Sequence, residues 1–207
     1  MVKVGVLAFQ GDVSEHLEMI EAVGGKPVPV KYPKEVEEID GLILPGGEST
    51  TLGLLLKESQ MDRAIKKRVL EGMPVWGTCM GAILLAKKLI NNPIPQETLG
   101  LMNIAVLRNA YGRQRESFEE EISLEGIPGG PFPCVFIRAP YIEKMDPGVM
   151  TMGEFRGKIV LAREKNMLAS SFHPEIAKDK RLHEYFLGMI EESLQGITHG
   201  RSNGKRG

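Results

Sequence analysis

The sequence predicts an α/β fold: a mostly parallel central sheet with helices on both faces, and additional antiparallel strands in the C-terminal half. Two observations predict it. In residues 1–90, short apolar runs alternate with stretches of helical apolar spacing, which is the pattern of a parallel sheet covered by helices. From residue 101 onward extended stretches dominate, and the pattern indicates only one more helix.

The first half alternates strand and helix. An apolar run over residues 2–8 predicts a buried strand, and residues 12–23 form an amphipathic helix pattern that Gly24 and Gly25 end as a cap. The same reasoning predicts the other elements of this half: strands over 27–30 and 41–44 and from Pro74, and helices over about 50–71 and 81–89.

The second half is richer in strands. Residues 91–100 are rich in proline and asparagine and predict a loop. Extended stretches follow over residues 118–124, 134–138, 149–155, 159–163 and 167–172, before a closing helix over 181–194. We expect one domain over residues 1–195 and a disordered tail over 196–207, because the tail is glycine-rich and basic.

Composition argues against several classes of function. A chain of 207 residues with 42% hydrophobic content can bury the core of one domain, and a net charge of −1 gives no strong attraction to nucleic acid or membranes. No apolar run approaches about 18 residues, and no secretory signal is evident. Two cysteines, Cys79 and Cys134, make no disulfide framework. We therefore expect a cytoplasmic protein with reduced thiols that binds neither nucleic acid nor membrane.

Cys79 lies in a turn typical of catalytic nucleophiles. It stands in the motif G-x-C-x-G, between the short strand from Pro74 and the helix that begins near Gly81. Flanking glycines permit the crowded strand-to-helix turn of nucleophile elbows, with sulfur in place of a serine oxygen. A thiol at a helix N-terminus also gains thiolate character. The alternative is a buried cysteine in a turn of small residues.

His173 and Glu175 supply the partners that a nucleophilic thiol needs. Pro174 between them favours an extended conformation for His173. In an extended chain, residues two apart face the same side at a spacing of about 6.6 Å, so the carboxylate can orient the imidazole. With Cys79, this tripeptide predicts a Cys-His-Glu nucleophilic site. Taken alone, the tripeptide is better explained as a strand end followed by a helix start.

A third motif, P-G-G-E-S-T over residues 45–50, follows a predicted strand. Its glycines expose backbone N–H groups, and those near Gly47 together with the N–H of Met80 could form an oxyanion hole. A phosphate cradle is the competing interpretation. It does not fit, because neither phosphate-loop pattern is present and Glu48 would repel a phosphate.

The motifs follow predicted strands directly, and so does the pair Gln10-Gly11. In open α/β sheets, functional residues gather at the carboxyl ends of the strands. We therefore expect Gln10, Gly47, Cys79 and His173 to meet at one edge of the sheet.

Together these motifs resemble the class I glutamine amidotransferase family and, more closely, the glutaminase subunits of pyridoxal 5′-phosphate synthase. G-x-C-x-G and H-P-E mark the broad family. The narrower resemblance rests on P-G-G-E-S-T, on Y-G-R-Q-x-x-S-F-E from Tyr111 and on F-I-R-A-P from Phe136. It extends from Val4 to Glu175 and implies the flavodoxin-like fold of the class I glutamine amidotransferases.

The resemblance implies a role for each matching residue. Cys79 would be the nucleophile of a triad with His173 and Glu175. The family's glutamine-binding positions are here Gly47, Glu48, Ser49, Arg108, Ile137 and Arg138. An acidic group and arginines suit an amino acid that carries both an ammonium and a carboxylate. Without the family match, surface ion pairing would account for the arginines. One departure is Met80, where the family more often has a small residue such as alanine.

The resemblance also implies a partner. Ammonia released from L-glutamine is mostly protonated in neutral water, so such enzymes pass it directly to a synthase. In this family the synthase is a lyase subunit, a (β/α)8 barrel that builds pyridoxal 5′-phosphate from ribose 5-phosphate and glyceraldehyde 3-phosphate. Gln10 is a candidate for coupling to that subunit. Pyridoxal phosphate is then the product of the complex, and we expect neither a cofactor nor a metal in this chain.

Two alternatives stay open from the sequence. One is the glutaminase subunit of imidazole glycerol phosphate synthase, which has the same triad logic and also docks on a barrel. The other is a non-catalytic redox sensor or chaperone of the wider α/β group, in which Cys79 reacts with oxidants and needs neither His173 nor Glu175. The activating partner distinguishes the first alternative, and hydrolysis of glutamine distinguishes the second.

Overall fold

The first half of the molecule is a regular alternation of strands and helices. The computed structural model describes residues 1–90, 96–108 and 117–202, with side chains up to residue 196. The elements of this half are β1 (Lys3–Leu7), α1 (Val13–Ala22), β2 (Lys26–Val30), β3 (Gly41–Leu44), α2 (Ser49–Glu58), α3 (Met61–Leu70), β4 (Val75–Thr78) and α4 (Met80–Leu85). A short 3-10 helix at Pro33–Glu38 links β2 to β3.

The second half is dominated by strands. Its elements are β5 (Ala86–Ile90), β6 (Met102–Leu107), β7 (Ser117–Ile122), β8 (Phe132–Ile137), β9 (Tyr141–Lys144), β10 (Met150–Phe155), β11 (Lys158–Glu164), β12 (Met167–Ser170) and α5 (Arg181–Ser202). Among the described residues, no helix has the length and hydropathy needed to cross a membrane.

One large sheet joins the two halves. Its strands lie in the order β2-β1-β3-β4-β12-β11-β9-β6-β5, and β10 pairs with β11 as well. All pairings from β2 to β12 are parallel. Beyond β12 the pairings are antiparallel, except for the parallel pair β5–β6. Strands β7 and β8 form a separate antiparallel pair. The predicted fold class, with its added antiparallel strands, is confirmed.

The sheet has an apolar core on each face. Leu42 and Leu44 of β3 pack with helices α2, α3 and α4, whereas Ile43 between them packs with α1, α5 and the β7–β8 pair. Successive side chains of a strand face opposite ways, so a strand buried on both faces is apolar throughout. Burying each of these side chains contributes roughly 1.5–3 kcal/mol.

The single helix predicted over residues 50–71 is wrong, because α2 and α3 are separate helices. The hydroxyl of Ser59 donates to the carbonyl of Leu55 at 2.6 Å, just after α2 ends. Gln60 then adopts a left-handed φ of 60°, which an α-helix cannot continue through. Leu56 and Met61 pack into the same core on either side of the break. The apolar pattern of the sequence therefore continues across the break between α2 and α3, as it would in a single helix.

The helix predicted over residues 81–89 is also wrong in its second half. It ends at Leu85, and Ala86 leaves the helical region with a ψ of 139°. Alanine, lysine and leucine are good helix formers, but residues 86–90 pair with β6 instead, with Lys88 opposite Ala105. Tertiary strand pairing overrides the local preference here.

Further differences remain in the second half. The stretches predicted to be extended include neither β6 nor β9, and β9 follows Pro140 and pairs with both β6 and β11. Helix α5 continues to Ser202, past the predicted end at residue 194 and into the tail predicted to be disordered. Gly196 weakens a helix by about 1 kcal/mol relative to alanine but does not end it. Residues 91–95 and 203–207 lie outside the described residues, so the loop and tail predicted there stay predictions.

Candidate active site

Cys79 occupies a strained turn between β4 and α4. Its φ is 49° and its ψ is −108°, a conformation that only the surrounding structure can impose on a non-glycine residue. The turn fits because Gly77 and Gly81 beside it have no Cβ atom. A Cβ on Gly81 would lie 1.9 Å from the carbonyl oxygen of Leu44, and one on Gly77 would lie 2.4 Å from that of Gly81. The motif G-x-C-x-G is therefore a steric requirement of the elbow.

Backbone contacts with the second half hold the elbow. Thr78 at the end of β4 lies opposite Ser170 at the end of β12. The N–H of Cys79 donates to the carbonyl of Ser170 at 2.8 Å. The Cys79 side chain is 2% exposed, and its Sγ lies 3.7 Å from the carbonyl oxygen of Ile137. The thiol thus stands at the line where the two halves meet.

The backbone of His173 and the carboxylate of Glu175 hold the imidazole in place. Its N–H donates to the carbonyl of Val135 at 2.8 Å, and its Nδ1 lies 2.7 Å from Oε1 of Glu175. Both side chains are buried. A carboxylate can only accept hydrogen bonds, so Nδ1 carries the hydrogen. The other ring nitrogen, Nε2, is then left for the thiol of Cys79.

Asp12 is a second carboxylate at His173. Its Oδ2 lies 3.2 Å from Nδ1 of His173, and the Asp12 side chain is 36% exposed. It was not among the residues that the sequence pointed to. The available signal was its position directly after Gln10-Gly11, at the end of the first strand.

Hydrogen bonding determines the charge of these groups. Burial alone would lower the pKa of His173, but its hydrogen bonds with Asp12, Cys79 and Glu175 outweigh burial and raise that pKa well above the ordinary value. Burial raises the pKa of Glu175, and the hydrogen bond with His173 opposes the rise. The hydrogen bond with His173 lowers the pKa of Asp12. A positively charged imidazole between two carboxylates is therefore favoured, and such a group stabilises a neighbouring thiolate.

The same three side chains have the spacing of a potential metal site. Asp12, His173 and Glu175 each offer one ligand atom, and these atoms lie within 4.8 Å of one another. The 2.7 Å separation of Nδ1 and Oε1 is that of a strong hydrogen bond. Hydrogen bonding of the imidazole accounts for the whole arrangement.

A pocket of about 330 Å³ opens in front of the thiol. Its walls come from both halves of the chain: Gly11, Asp12, Gly47, Glu48, Cys79, Met80, Arg108, Ile137, Arg138 and His173. The predicted meeting of the loops after β1, β3, β4 and β12 is thus present. The pocket has the size expected of a small amino acid site.

Gly47 and Met80, the residues expected to form an oxyanion hole, both line the pocket. Gly47 has a φ of 146°, which favours glycine. Met80 is the first residue of α4, so its N–H has no partner inside that helix. The Met80 side chain is half-buried, packs against the core and lines the pocket.

Glu48 and Arg108 form a polar wall. The Glu48 carboxylate accepts the N–H groups of Thr50 and Thr51 at 3.1 and 2.7 Å and caps α2. These bonds outweigh partial burial and lower the pKa of Glu48 to about 2. Arg108 reaches the same carboxylate at 3.4 Å and Oε1 of Gln96 at 2.9 Å. An ionised carboxylate and a fixed guanidinium face the pocket together.

Of the other residues predicted to belong to the site, two line the pocket and two do not. Ile137 and Arg138 line the pocket, and Arg138 has a left-handed φ of 43° and an exposed side chain. Ser49 is fully buried, and its hydroxyl makes no hydrogen bond within the described residues. Gln10 donates from Nε2 to the carbonyl of Glu48 at 2.7 Å. Neither Ser49 nor Gln10 lines the pocket directly. Residues 109–116, which carry part of the Y-G-R-Q pattern, lie outside the described residues.

A buried histidine, His16, contacts the triad and was also missed. Its Nε2 lies 3.3 Å from Oε2 of Glu175. The available signal was a histidine on the apolar face of α1, where Met19 and Ile20 are also buried.

Comparison with known proteins agrees with the geometry. The model of the SNO glutamine amidotransferase family matches residues 6–192. A protein of Kosmotoga olearia, named pyridoxal 5′-phosphate synthase subunit PdxT, is 49% identical over 91% of this chain and 98% of its own length. The protein of the same name from Niallia circulans is 49% identical over 93% of this chain and all of its own.

Solved structures agree with the fold. A crystal structure of a glutamine amidotransferase superposes with a TM-score of 0.86 at 46% identity, covering 91% of this chain and 98% of the other. PurLQS from Thermotoga maritima shares the fold with a TM-score of 0.63 at 16% identity, covering 95% of this chain and 99% of the other. With the match to residues 6–192, these findings establish that the chain belongs to the SNO glutamine amidotransferase family.

Proposed function

We propose that this chain hydrolyses L-glutamine to L-glutamate and ammonia, and that it supplies the ammonia to a pyridoxal 5′-phosphate synthase. The observation that carries the proposal is the 2.7 Å contact between His173 and Glu175, beside a thiol on a strained elbow that faces a pocket of about 330 Å³. The relatives named as subunits of pyridoxal 5′-phosphate synthase support the pathway.

The proposed reaction uses both nitrogens of His173. The thiolate of Cys79 attacks the side-chain amide carbon of glutamine, and the N–H groups near Gly47 and Met80 stabilise the oxyanion. Nε2 of His173 then donates its proton to the departing nitrogen, so that ammonia leaves and a glutamyl thioester remains on Cys79. Water gives one proton to the same nitrogen as it attacks the thioester. The Cys79 thiolate then leaves, and glutamate is released as its new carboxyl group loses the other proton to solvent. Glu175 holds Nδ1 throughout.

The polar wall suits the α-amino acid end of the substrate. Glu48 is ionised and 52% exposed, so it can face the substrate ammonium. Arg138 is exposed at the pocket and can meet the carboxylate. Arg108 is held by Thr50, Gln96 and Glu48, which fixes its orientation. We propose that the backbone of Gly47, Ser49 and Ile137 completes this part of the site.

The partner we propose is the lyase subunit of the synthase, a (β/α)8 barrel. Because ammonia in neutral water is mostly protonated, it must pass to the next active site without release into solvent. Gln10 is proposed to couple the two subunits, since its amide bonds the carbonyl of Glu48 and its side chain packs beside Gly47. The imidazole glycerol phosphate pathway is less favoured, because the similar relatives carry the other name.

The test is glutamate release by the purified chain, alone and with the lyase subunit of the same organism. We expect the lyase subunit to increase glutamate release strongly. Replacing Gln10 by alanine should reduce that increase while leaving the thermal midpoint of the chain unchanged. If the wild-type chain releases no glutamate with its own lyase subunit, the proposed function is wrong. If Gln10→Ala responds as the wild type does, the coupling role is wrong.

A further inference from the structure

A chain of buried polar side chains continues from the triad into the core. Oε1 of Glu175 faces His173, and Oε2 faces Nε2 of His16 at 3.3 Å. Nε2 of His16 also lies 3.2 Å from Oγ1 of Thr78. On its other side, Nδ1 of His16 lies 3.1 Å from Nε2 of His183. His16 is fully buried and His183 is 3% exposed, so solvent cannot satisfy these nitrogens.

One placement of hydrogens leaves no buried N–H of the two histidine rings unpaired. In it, Nε2 of His16 carries the hydrogen, donates to Oγ1 of Thr78 and lies 3.3 Å from the accepting carboxylate of Glu175, and Nδ1 of His16 is an acceptor. Nε2 of His183 must then donate to that Nδ1. This leaves Nδ1 of His183 without a hydrogen, and it is the nitrogen that is buried without a hydrogen-bond partner in the described part of the chain. A bare lone pair costs less to bury than an unpaired N–H.

Both histidines are neutral in this arrangement. Burial, followed by the charges of His183 and His173, lowers the pKa of His16 well below its ordinary value. Burial lowers the pKa of His183 to about 3. Oε2 of Glu175 is buried and makes no hydrogen bond within the described residues, although Nε2 of His16 lies 3.3 Å from it. His16 is therefore its available donor.

We propose that His16 is a positioning residue for the glutaminase reaction: its Nε2–H holds Oε2 of Glu175, so that Oε1 stays aimed at Nδ1 of His173, while His183 fixes the tautomer of His16. The inference rests on the proposed function, because it concerns the same triad. It assigns these two histidines a role in orientation rather than in bond making. A displacement of about 1 Å in such a group can cost about 100-fold in rate.

The competing explanation is that His16 only fills space. Its ring packs edge-on against Trp76, with ring centroids 5.9 Å apart, and His183 packs against the same indole at 4.9 Å. A space-filling histidine would tolerate an apolar side chain of similar size with a loss of stability alone. A positioning histidine requires a donor at the place of Nε2.

Three substitutions of His16 separate these explanations. Glutamine places its amide nitrogen where Nε2 of histidine lies, asparagine places it nearer to Nδ1, and leucine removes the donor. In the full chain with its lyase subunit, His16→Leu and His16→Asn should lower kcat about 10- to 100-fold with KM within about twofold. His16→Gln should recover most of kcat. Ile20→Ala, four residues along the same buried face of α1, is the matched control that loses packing while keeping kcat.

Nitrogen-15 NMR of histidine-labelled chain gives a readout that needs no glutamine turnover. We expect His16 to carry its hydrogen on Nε2 and His183 to carry its hydrogen on Nε2, with both Nδ1 atoms bare. The inference is overturned if His16→Leu keeps the wild-type kcat, or if the spectra place the hydrogen of His16 on Nδ1. If the wild-type chain hydrolyses no glutamine, the proposed function is rejected instead. The tautomers observed by NMR would still test the proposed contacts between Glu175, His16 and His183.

Discussion

The two halves of the molecule make different kinds of contribution to the site. The first half is a parallel β-α layer, and it supplies the elbow and the backbone N–H groups around Gly47 and Met80. The second half is largely antiparallel, and it supplies His173, Glu175 and the exposed Arg138. The first half thus contributes the turn and the backbone N–H groups of the site, and the second half contributes the side chains of His173, Glu175 and Arg138.

The junction of the halves is the parallel pair β4–β12. Thr78 lies opposite Ser170, and the indole N–H of Trp76 donates to the hydroxyl of Ser170 at 3.1 Å. Because Cys79 follows the first strand and His173 follows the second, the register of this pair sets how the nucleophile meets its base. A one-residue slip would move every side chain of the strand to the other face. The arrangement of Cys79 and His173 therefore depends on the register of this strand pair. Substitutions in one half or the other can test the two contributions separately.

The largest effect is expected from removing the nucleophile that the first half presents. Cys79→Ala should lower glutamate release by at least about 10⁴-fold in the presence of the lyase subunit, because no thioester can form. Cys134→Ala is the matched control: it removes the other thiol, which is fully buried on β8. That variant should lose some stability and keep its activity. Residual turnover of Cys79→Ala near the wild-type rate would contradict the assignment.

A backbone change in the first half should be nearly as severe. In Gly81→Ala the new Cβ would meet the carbonyl oxygen of Leu44 at 1.9 Å, so the elbow must move. We expect the free energy of unfolding, measured with denaturant, to fall by about 3 kcal/mol and activity to lie near background. Gly188→Ala in α5 is the control, since its Cβ would meet nothing within 4 Å. It should stabilise the chain by about 1 kcal/mol. Equal stability of the two variants would refute the steric account.

Some features of the two halves could be predicted from the sequence, and others could not. The apolar run of β3 between glycines identified a buried strand directly, and the motifs at Cys79 and His173 pointed to two residues that line the same pocket. Strand β5 was missed because its residues favour a helix until β6 pairs with them. Asp12 and His16 were missed because their importance lies in contacts made 161 and 159 residues away in the chain, with His173 and Glu175. No local pattern carries that information.

In the second half, the expected loss is smaller and concerns orientation. Glu175→Gln keeps the shape of the side chain but weakens its hold on Nδ1 of His173. We expect kcat to fall about 10²- to 10⁴-fold, with little change in KM. Glutamate release at saturating glutamine measures this. A value of kcat within twofold of the wild type would mean that Asp12 alone can orient His173, since Asp12 lies 3.2 Å from the same nitrogen.

The smallest effect should come from Asp12, which joins the first half to His173. The hydrogen bond with His173 lowers the pKa of Asp12 below 3.8, so its contribution to stability is present above about pH 4 and is lost as the pH falls through the lowered value. The raised pKa of His173 implies that the charged partner remains at neutral pH. Asp12→Asn should therefore lower the thermal midpoint at pH 6–7, and its difference from the wild type should shrink as the pH falls below about 4. An equal difference across the whole range would contradict the ionic contact.

The most direct test of the whole account is to locate the glutamyl thioester. The chain, mixed with its lyase subunit and glutamine, is quenched with acid during turnover, digested and examined by mass spectrometry. The account predicts a glutamyl adduct on the peptide that contains Cys79 and none on that of Cys134, with Glu175→Gln changing its amount but not its position. Steady glutamate release with no adduct on Cys79, or with an adduct elsewhere, would contradict the claim that the two halves meet to make a thiol glutaminase.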